Sequence, residues 1–131
     1  MVRGLDFTFD HIHIYCSDLA ATENWFITCL DAQLLRHRTN KGAPACDLQL
    51  GGTTIFLRGR QKDETIANPG PKHFGTDHFG FRVRDLASTA SELKRRGVTF
   101  DVEPYETRPG LSVAFVRGPD DVRIELLQYT E

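Results

Sequence analysis

The stretch D-H-I-H-I-Y-C-S-D-L-A-A-T at residues 10–22 returns as D-H-F-G-F-R-V-R-D-L-A-S-T at residues 77–89. At one constant offset, Asp10, His11, Asp18, Leu19, Ala20 and Thr22 recur as Asp77, His78, Asp85, Leu86, Ala87 and Thr89. A repeat of about half the chain length predicts two similar modules packed on each other. Each carries a histidine at the same place on the same kind of strand, so a metal site between the modules is the first possibility to weigh.

The alternation within the repeat sets its local structure. His11, His13 and Tyr15 point one way and Ile12, Ile14 and Cys16 the other, which predicts a half-buried strand over 8–16. Asp18 then suits the N-cap of a helix over 19–30, in which Thr22, Trp25, Phe26, Cys29 and Leu30 fall at helical spacing. Strands are expected near 33–38, 45–50 and 53–58, with Gly51-Gly52 as the turn between the last two. In the second half, Phe79, Phe81 and Val83 form the apolar face of a strand over 77–84. Asp85 caps a helix carrying Leu86, Thr89, Ala90 and Leu93 on one face, and Gly97 ends it. Strands near 98–103, 111–117 and 122–128 follow, the last two joined at Gly118-Pro119-Asp120-Asp121. Residues 60–73, with Asn68-Pro69-Gly70-Pro71, read as the connection between halves and as a flap over a site.

The boundaries expected are module one over 8–59, the connection over 60–73 and module two over 77–128, together one domain over 1–131. Each half is thus strand, helix and three strands. The helix must cover the apolar face of its sheet, which leaves His11 and His78 on the opposite, concave face. The last strand adds a third donor. Ile124 and Leu126 face the helix, so Glu125 faces the cavity, where a carboxylate is costly unless paired or metal-bound. The corresponding place in the first half is Phe56. The expected ligand set is therefore His11, His78 and Glu125 with an apolar fourth corner, a set that suits Fe(II), Mn(II), Zn(II) or Ni(II) and leaves positions open for substrate.

His13 and Tyr15 share the face of His11. They are candidate catalytic groups for moving protons, against the plainer alternative that they line an open barrel. Arg82 faces with His78 and is expected at the exposed mouth rather than on an anionic substrate. Tyr105 is expected in a loop. His37 and His73, with loop-like surroundings, receive no role. Cys16 and Cys29 read as small apolar fillers, and Lys94-Arg95-Arg96 as the solvated end of the second helix.

Bulk properties exclude several classes of function. With 16 basic and 18 acidic residues, the net charge of -2 gives no reason to expect nucleic acid or an anionic membrane as partner. No apolar run approaches the roughly 20 residues of a membrane span, and the first residues show no signal-peptide stretch. Three cysteines without close pairing fit a reducing, cytoplasmic setting.

The motifs D-H-I-H-I-Y-C-S-D-L at 10–19, H-F-G-F-R-V-R-D-L at 78–86 and G-P-D-D-V-R-I-E-L at 118–126 resemble those of the vicinal oxygen chelate superfamily. That group includes glyoxalase I, extradiol dioxygenases, fosfomycin-resistance enzymes, methylmalonyl-CoA epimerase and bleomycin-resistance proteins. The last motif departs from the family's D-P-D-G-x-x-I-E-L at Gly118 and Asp121. The resemblance implies an α+β fold of two βαβββ modules, an open, U-shaped mixed barrel with helices outside, around a divalent metal. It also implies a homodimer and places His11, His78 and Glu125 on ligand positions. Glyoxalase-type isomerases and epimerases resemble each other in a fourth ligand from the first module, where Phe56 stands here. Fosfomycin enzymes differ in a Thr where this chain has His13, and in a Ser-rich loop where it reads Thr107-Arg108-Pro109-Gly110. The expected function is a metal-dependent enzyme on a small-molecule substrate. The leading version is an Fe(II) dioxygenase for a phenolic or enolic substrate. The alternatives are a glyoxalase-like lyase or isomerase on another divalent metal, and a metal-free drug- or metabolite-binding protein of the bleomycin-resistance kind.

Overall fold

A computed structural model describes residues 4–67, 70 and 72–130. The first half comprises β1 (His11–Tyr15), α1 (Leu19–Leu30), β2 (Gln33–Asn40), β3 (Ala43–Leu50) and β4 (Thr53–Arg58). The second comprises β5 (Phe79–Arg82), α2 (Leu86–Arg95), β6 (Thr99–Arg108), β7 (Leu111–Arg117) and β8 (Arg123–Tyr129). Two βαβββ modules therefore form, each with a four-stranded mixed sheet, in the orders β1-β4-β3-β2 and β5-β8-β7-β6. The sheets do not close on each other.

Both helices begin where the repeated Asp-Leu predicts. Asp18 accepts from the Ala21 N–H at 3.1 Å, and Asp85 from the Ser88 N–H at 3.2 Å, satisfying donors that a helix start leaves orphaned. Thr22, Phe26 and Cys29 of α1 are buried on one side, as are Leu86, Ala90 and Leu93 of α2. Of these, Phe26, Cys29, Leu86 and Leu93 join Ile14, Leu48, Ile55, Leu57, Ala114, Val116, Ile124 and Leu126 in the core. Each sheet thus spends its apolar face on its own helix, and the opposite face is left polar. Cys16, Cys29 and Cys46 are all free and buried, and burial pushes the Cys16 thiol up to about 11 and the Cys46 thiol up to about 12.

Several expectations are revised. Tyr105 lies in β6 opposite Val113, not in a loop, because β6 runs on to Arg108 through irregular pairing with β7. His37 lies in β2 and meets both Glu23 carboxylate oxygens at 3.0 Å. Arg96 is not simply solvated: it donates to the Asp31 carboxylate at 2.8 Å and the Cys29 carbonyl at 3.1 Å, tying the two helix ends together. The strand expected over 77–84 is shorter, Phe79–Arg82. At 118–121 the chain makes one 3₁₀ turn with Asp120 and Asp121 at φ of 58 and 59°. Asp121, where the D-P-D-G motif has glycine, therefore needs left-handed backbone, which Asp tolerates better than most residues. The neighbouring Asp120 carboxylate accepts from Ser17 N–H at 2.9 Å and Ser17 Oγ at 2.5 Å, joining the halves.

Of the connection between halves, Asn68, Pro69 and Pro71 lie outside the described residues, and with them part of the expected flap. The described part is anchored at Glu64, which accepts from Arg58 Nη2 at 2.6 Å and from the Gln61 N–H at 3.0 Å. A cleft of about 450 Å³ lies between the halves on the helix side, lined by Leu30, Leu50, Phe81, Leu93 and Glu92 among others, but by neither His11, His78 nor Glu125.

Candidate metal centre

The strand registers settle which positions of the two polar faces correspond. His13 lies opposite Phe56, and Gly80 lies opposite Glu125. Phe56 and Glu125 are therefore counterparts, as the sequence alignment of the halves predicts.

The second face holds a donor pair. His78, just ahead of β5, has Nε2 3.2 Å from Glu125 Oε1. Two ligands at right angles on an ion about 2.1 Å away stand about 3 Å apart, so this pair is already spaced for one cation. His78 Nδ1 lies 2.8 Å from Asp77 Oδ2, and Arg123 also bonds that carboxylate. The hydrogen bond from His78, more than the Arg123 charge, holds the Asp77 carboxyl below its usual range. A carboxylate behind the second ring nitrogen fixes the tautomer that turns Nε2 outward as a ligand. His11 repeats the arrangement, with Nδ1 2.6 Å from Asp10 Oδ2. The donor chemistry of both histidines and of Glu125 thus fits a divalent ion.

The single chain does not assemble the set of three. His11 stacks on Phe56, centroids 3.9 Å apart, and among the described residues no group of three or more His, Cys, Asp and Glu side chains is close enough to hold a metal. The contacts between the halves lie elsewhere: Ser17 with Asp120, Arg96 with Asp31, and Trp25 on Gly118, where an added Cβ would come within 3.2 Å of the indole.

His13 and Tyr15 do share the face of His11. Their rings meet edge to face at 5.3 Å, and Phe56 lies 6.1 Å from His13. The imidazole of His13 is held below the ordinary histidine value, first by crowding from its neighbours and then by the charges of His11, Arg38 and Arg58. Arg82 stands over the Tyr129 ring at 4.3 Å, exposed as expected. His73 meets the Thr76 carbonyl at 3.0 Å.

The residues that sequence reasoning passed over are charged ones on the first face. Asp47, 2% exposed, takes Arg36 Nη1 at 2.5 Å and Arg38 Nε at 2.8 Å. Arg58, 5% exposed, lies over the Tyr15 ring at 4.1 Å. The signal was present: alternation through Ala45-Cys46-Asp47 and Phe56-Leu57-Arg58 puts Asp47 and Arg58 on the polar side.

An open two-module sheet pair with His–carboxylate donors on its polar faces defines a class, and the comparisons with known proteins agree. The sequence profile of the Glyoxalase/Bleomycin resistance protein/Dioxygenase superfamily matches residues 8–126, and the chain belongs to that superfamily. It is 27% identical over 128 residues to a probable chloroplastic lactoylglutathione lyase of Arabidopsis thaliana, a match covering 90% of this chain and 35% of that protein. It is 40% identical over 58 residues to glyoxalase I of Saccharomyces cerevisiae, covering 44% of this chain and 18% of the relative. The chain thus spans about a third or less of the length of these curated relatives. A glyoxalase family protein from Enterococcus faecalis has the same fold, with a TM-score of 0.78 at 24% identity, over 92% of this chain and 96% of that one.

Proposed function

We propose that this protein is a divalent-metal-dependent enzyme acting on a small molecule that binds through oxygen, with His11, His78 and Glu125 as the metal ligands. The observation that carries the reading is the His78–Glu125 pair at 3.2 Å, backed by Asp77, with the same Asp–His pair repeated at Asp10–His11. A bound divalent ion supplies Lewis acidity and, as Fe(II), a place for O2. Phe56 in the fourth corner favours a two-His, one-carboxylate set and hence the leading version, Fe(II)-dependent oxygenation of a phenolic or enolic substrate.

The chain's own groups have defined work in that scheme. Asp10 and Asp77 orient the imidazoles. His13, its pKa held down, is a neutral base near pH 7, able to accept a proton from a substrate hydroxyl at its free ring nitrogen. The Tyr15 hydroxyl hydrogen-bonds the substrate oxygen. Because His11 stands apart from the His78–Glu125 pair, the set is completed by a second copy in a homodimer, the first sheet of one chain facing the second sheet of the other. Three buried free thiols suit a reducing compartment such as the cytoplasm.

A second reading, a glyoxalase-like lyase or isomerase on Ni(II), Zn(II) or Mn(II), is favoured by the similarity to the two curated relatives. A metal-free drug- or metabolite-binding protein is the reading that the paired donors oppose. Metal analysis of protein purified without air separates the three. One iron per site with substrate-dependent oxygen uptake supports the oxygenase. Turnover of a hemithioacetal without oxygen uptake supports the lyase. No stoichiometric metal would sink both enzymes.

A further inference from the structure

The first polar face carries three arginines against two acids, and one arginine is mounted as a receptor. Asp47 is buried and its two oxygens are used separately, Oδ2 by Arg36 and Oδ1 by Arg38 Nε. Arg38 is therefore gripped along its Nε side. Its terminal nitrogens have no partner among the described residues, and its side chain is 31% exposed. The guanidinium also lies 5.0 Å from the Phe56 ring centroid, a cation–π contact. Arg58 adds a second cation, paired at Nη2 by Glu64 and with its Nε buried without an acceptor. With Arg36, Arg38 and Arg58 sharing only Asp47 and Glu64, this face carries a net positive charge that is also oriented.

We infer that Arg38 binds a carboxylate of the substrate, with Arg58 supplying the surrounding positive field. A guanidinium fixed at one edge offers the other as a planar two-donor fork, the match for a carboxylate. The ring of His11 and the guanidinium of Arg38 lie 3.9 and 5.0 Å from the same Phe56 centroid, hence less than about 9 Å from each other. That separation is the length of a single ring or short chain. The substrate class is therefore a small acid, such as a hydroxyaryl or 2-oxo acid, with its carboxylate on Arg38 and its reacting oxygens toward the metal. The second half of this statement rests on the proposed ligand set. The first does not.

The test uses chelator-treated protein, so that a failure of the metal reading leaves it intact. Benzoate, with benzamide as its neutral counterpart, is titrated while the ring resonances of Phe56 and Tyr15 are followed by NMR. Saturable shifts with benzoate and none with benzamide are expected. Arg38→Gln should weaken benzoate at least tenfold, and Arg95→Gln, on the exposed side of α2, by less than twofold. Arg38→Lys keeps a cation beside Asp47 but loses the fork, and should also weaken benzoate tenfold. It decides the matter if Arg38→Gln does not fold. Equal binding of benzamide, tighter binding of inorganic phosphate than of benzoate, or full affinity in Arg38→Lys would overturn the inference.

Discussion

The two polar faces share a backbone and exchange their chemistry. On the first, Asp47 of β3 lies opposite Phe56 of β4; on the second, Phe115 of β7 lies opposite Glu125 of β8. Carboxylate and aromatic ring have changed strands. Next to them Ala45 pairs with Arg58, where Val113 pairs with Leu127. Arg38, paired with Ala45, corresponds to Tyr105, paired with Val113. The consequence is a division of labour. The Asp47 carboxylate has each oxygen held by a guanidinium, and those two positive charges oppose a cation there. Glu125 meets one imidazole and keeps most of its acceptor capacity. In the proposed scheme the first face therefore orients charge for a ligand and lends the metal only His11, while the second supplies the His78–Glu125 pair.

The sharpest way to break this contrast is to remove donors from each face. His78→Ala and Glu125→Ala should abolish stoichiometric metal, a loss beyond the roughly 10- to 100-fold that an outer-shell partner carries. His11→Ala should do the same if two copies share the ion. Elemental analysis and competition with a chelator measure this. Asp47→Ala should leave metal content unchanged and instead unfold at lower urea. Its cost is about 1–3 kcal/mol, because two charged hydrogen bonds are lost while the stranded arginines, 57% and 31% exposed, can turn to water. Metal loss in Asp47→Ala, with the fold intact, would erase the distinction between the faces.

The Asp–His pairs sharpen the comparison at smaller amplitude. Asp77→Asn and Asp10→Asn should each weaken metal binding by about 10- to 100-fold without changing the ligand count. Asp77 also anchors Arg123, whose guanidinium lies over Phe115 at 4.6 Å. Asp77→Asn should therefore also shift Arg123 and Phe115 resonances, whereas Asp10→Asn should leave the second face undisturbed.

The legible part of this molecule was whatever repeats. Strand alternation and the Asp-Leu caps carry the element order, and helix α1 and strands β4 and β7 fall at their expected bounds, because those signals are local. The pairing of Phe56 with Glu125 as counterparts was legible for the same reason. The seat of His11 was not, since facing on a strand says nothing about how two sheets sit relative to each other. Arg38 and Asp47 escaped because neither repeats: their counterparts are Tyr105 and Phe115, so a search for common features passes over them. Tyr105 looked like loop because the β6–β7 pairing is irregular, and irregular pairing has no period to detect.

The finest test concerns His13, whose counterpart Gly80 has no side chain. An imidazole on a cationic face should be harder to protonate than one in water. Crowding by its neighbours is the larger cause of the lowered pKa, and the charges of His11, Arg38 and Arg58 follow. The folded-state value lies below the ordinary 6.5, so between the two values the unfolded chain binds more protons. Stability should therefore rise as pH increases through that window and should be lost as pH falls through the folded value. Following the His13 ring resonance against pH in chelator-treated protein gives the midpoint directly. Arg38→Gln should move it part of the way back toward 6.5, because burial remains when the charge is gone. A wild-type midpoint at or above 6.5 would mean that the first face is not cationic as its arginines lie, and the contrast with the second face would lose its electrostatic half.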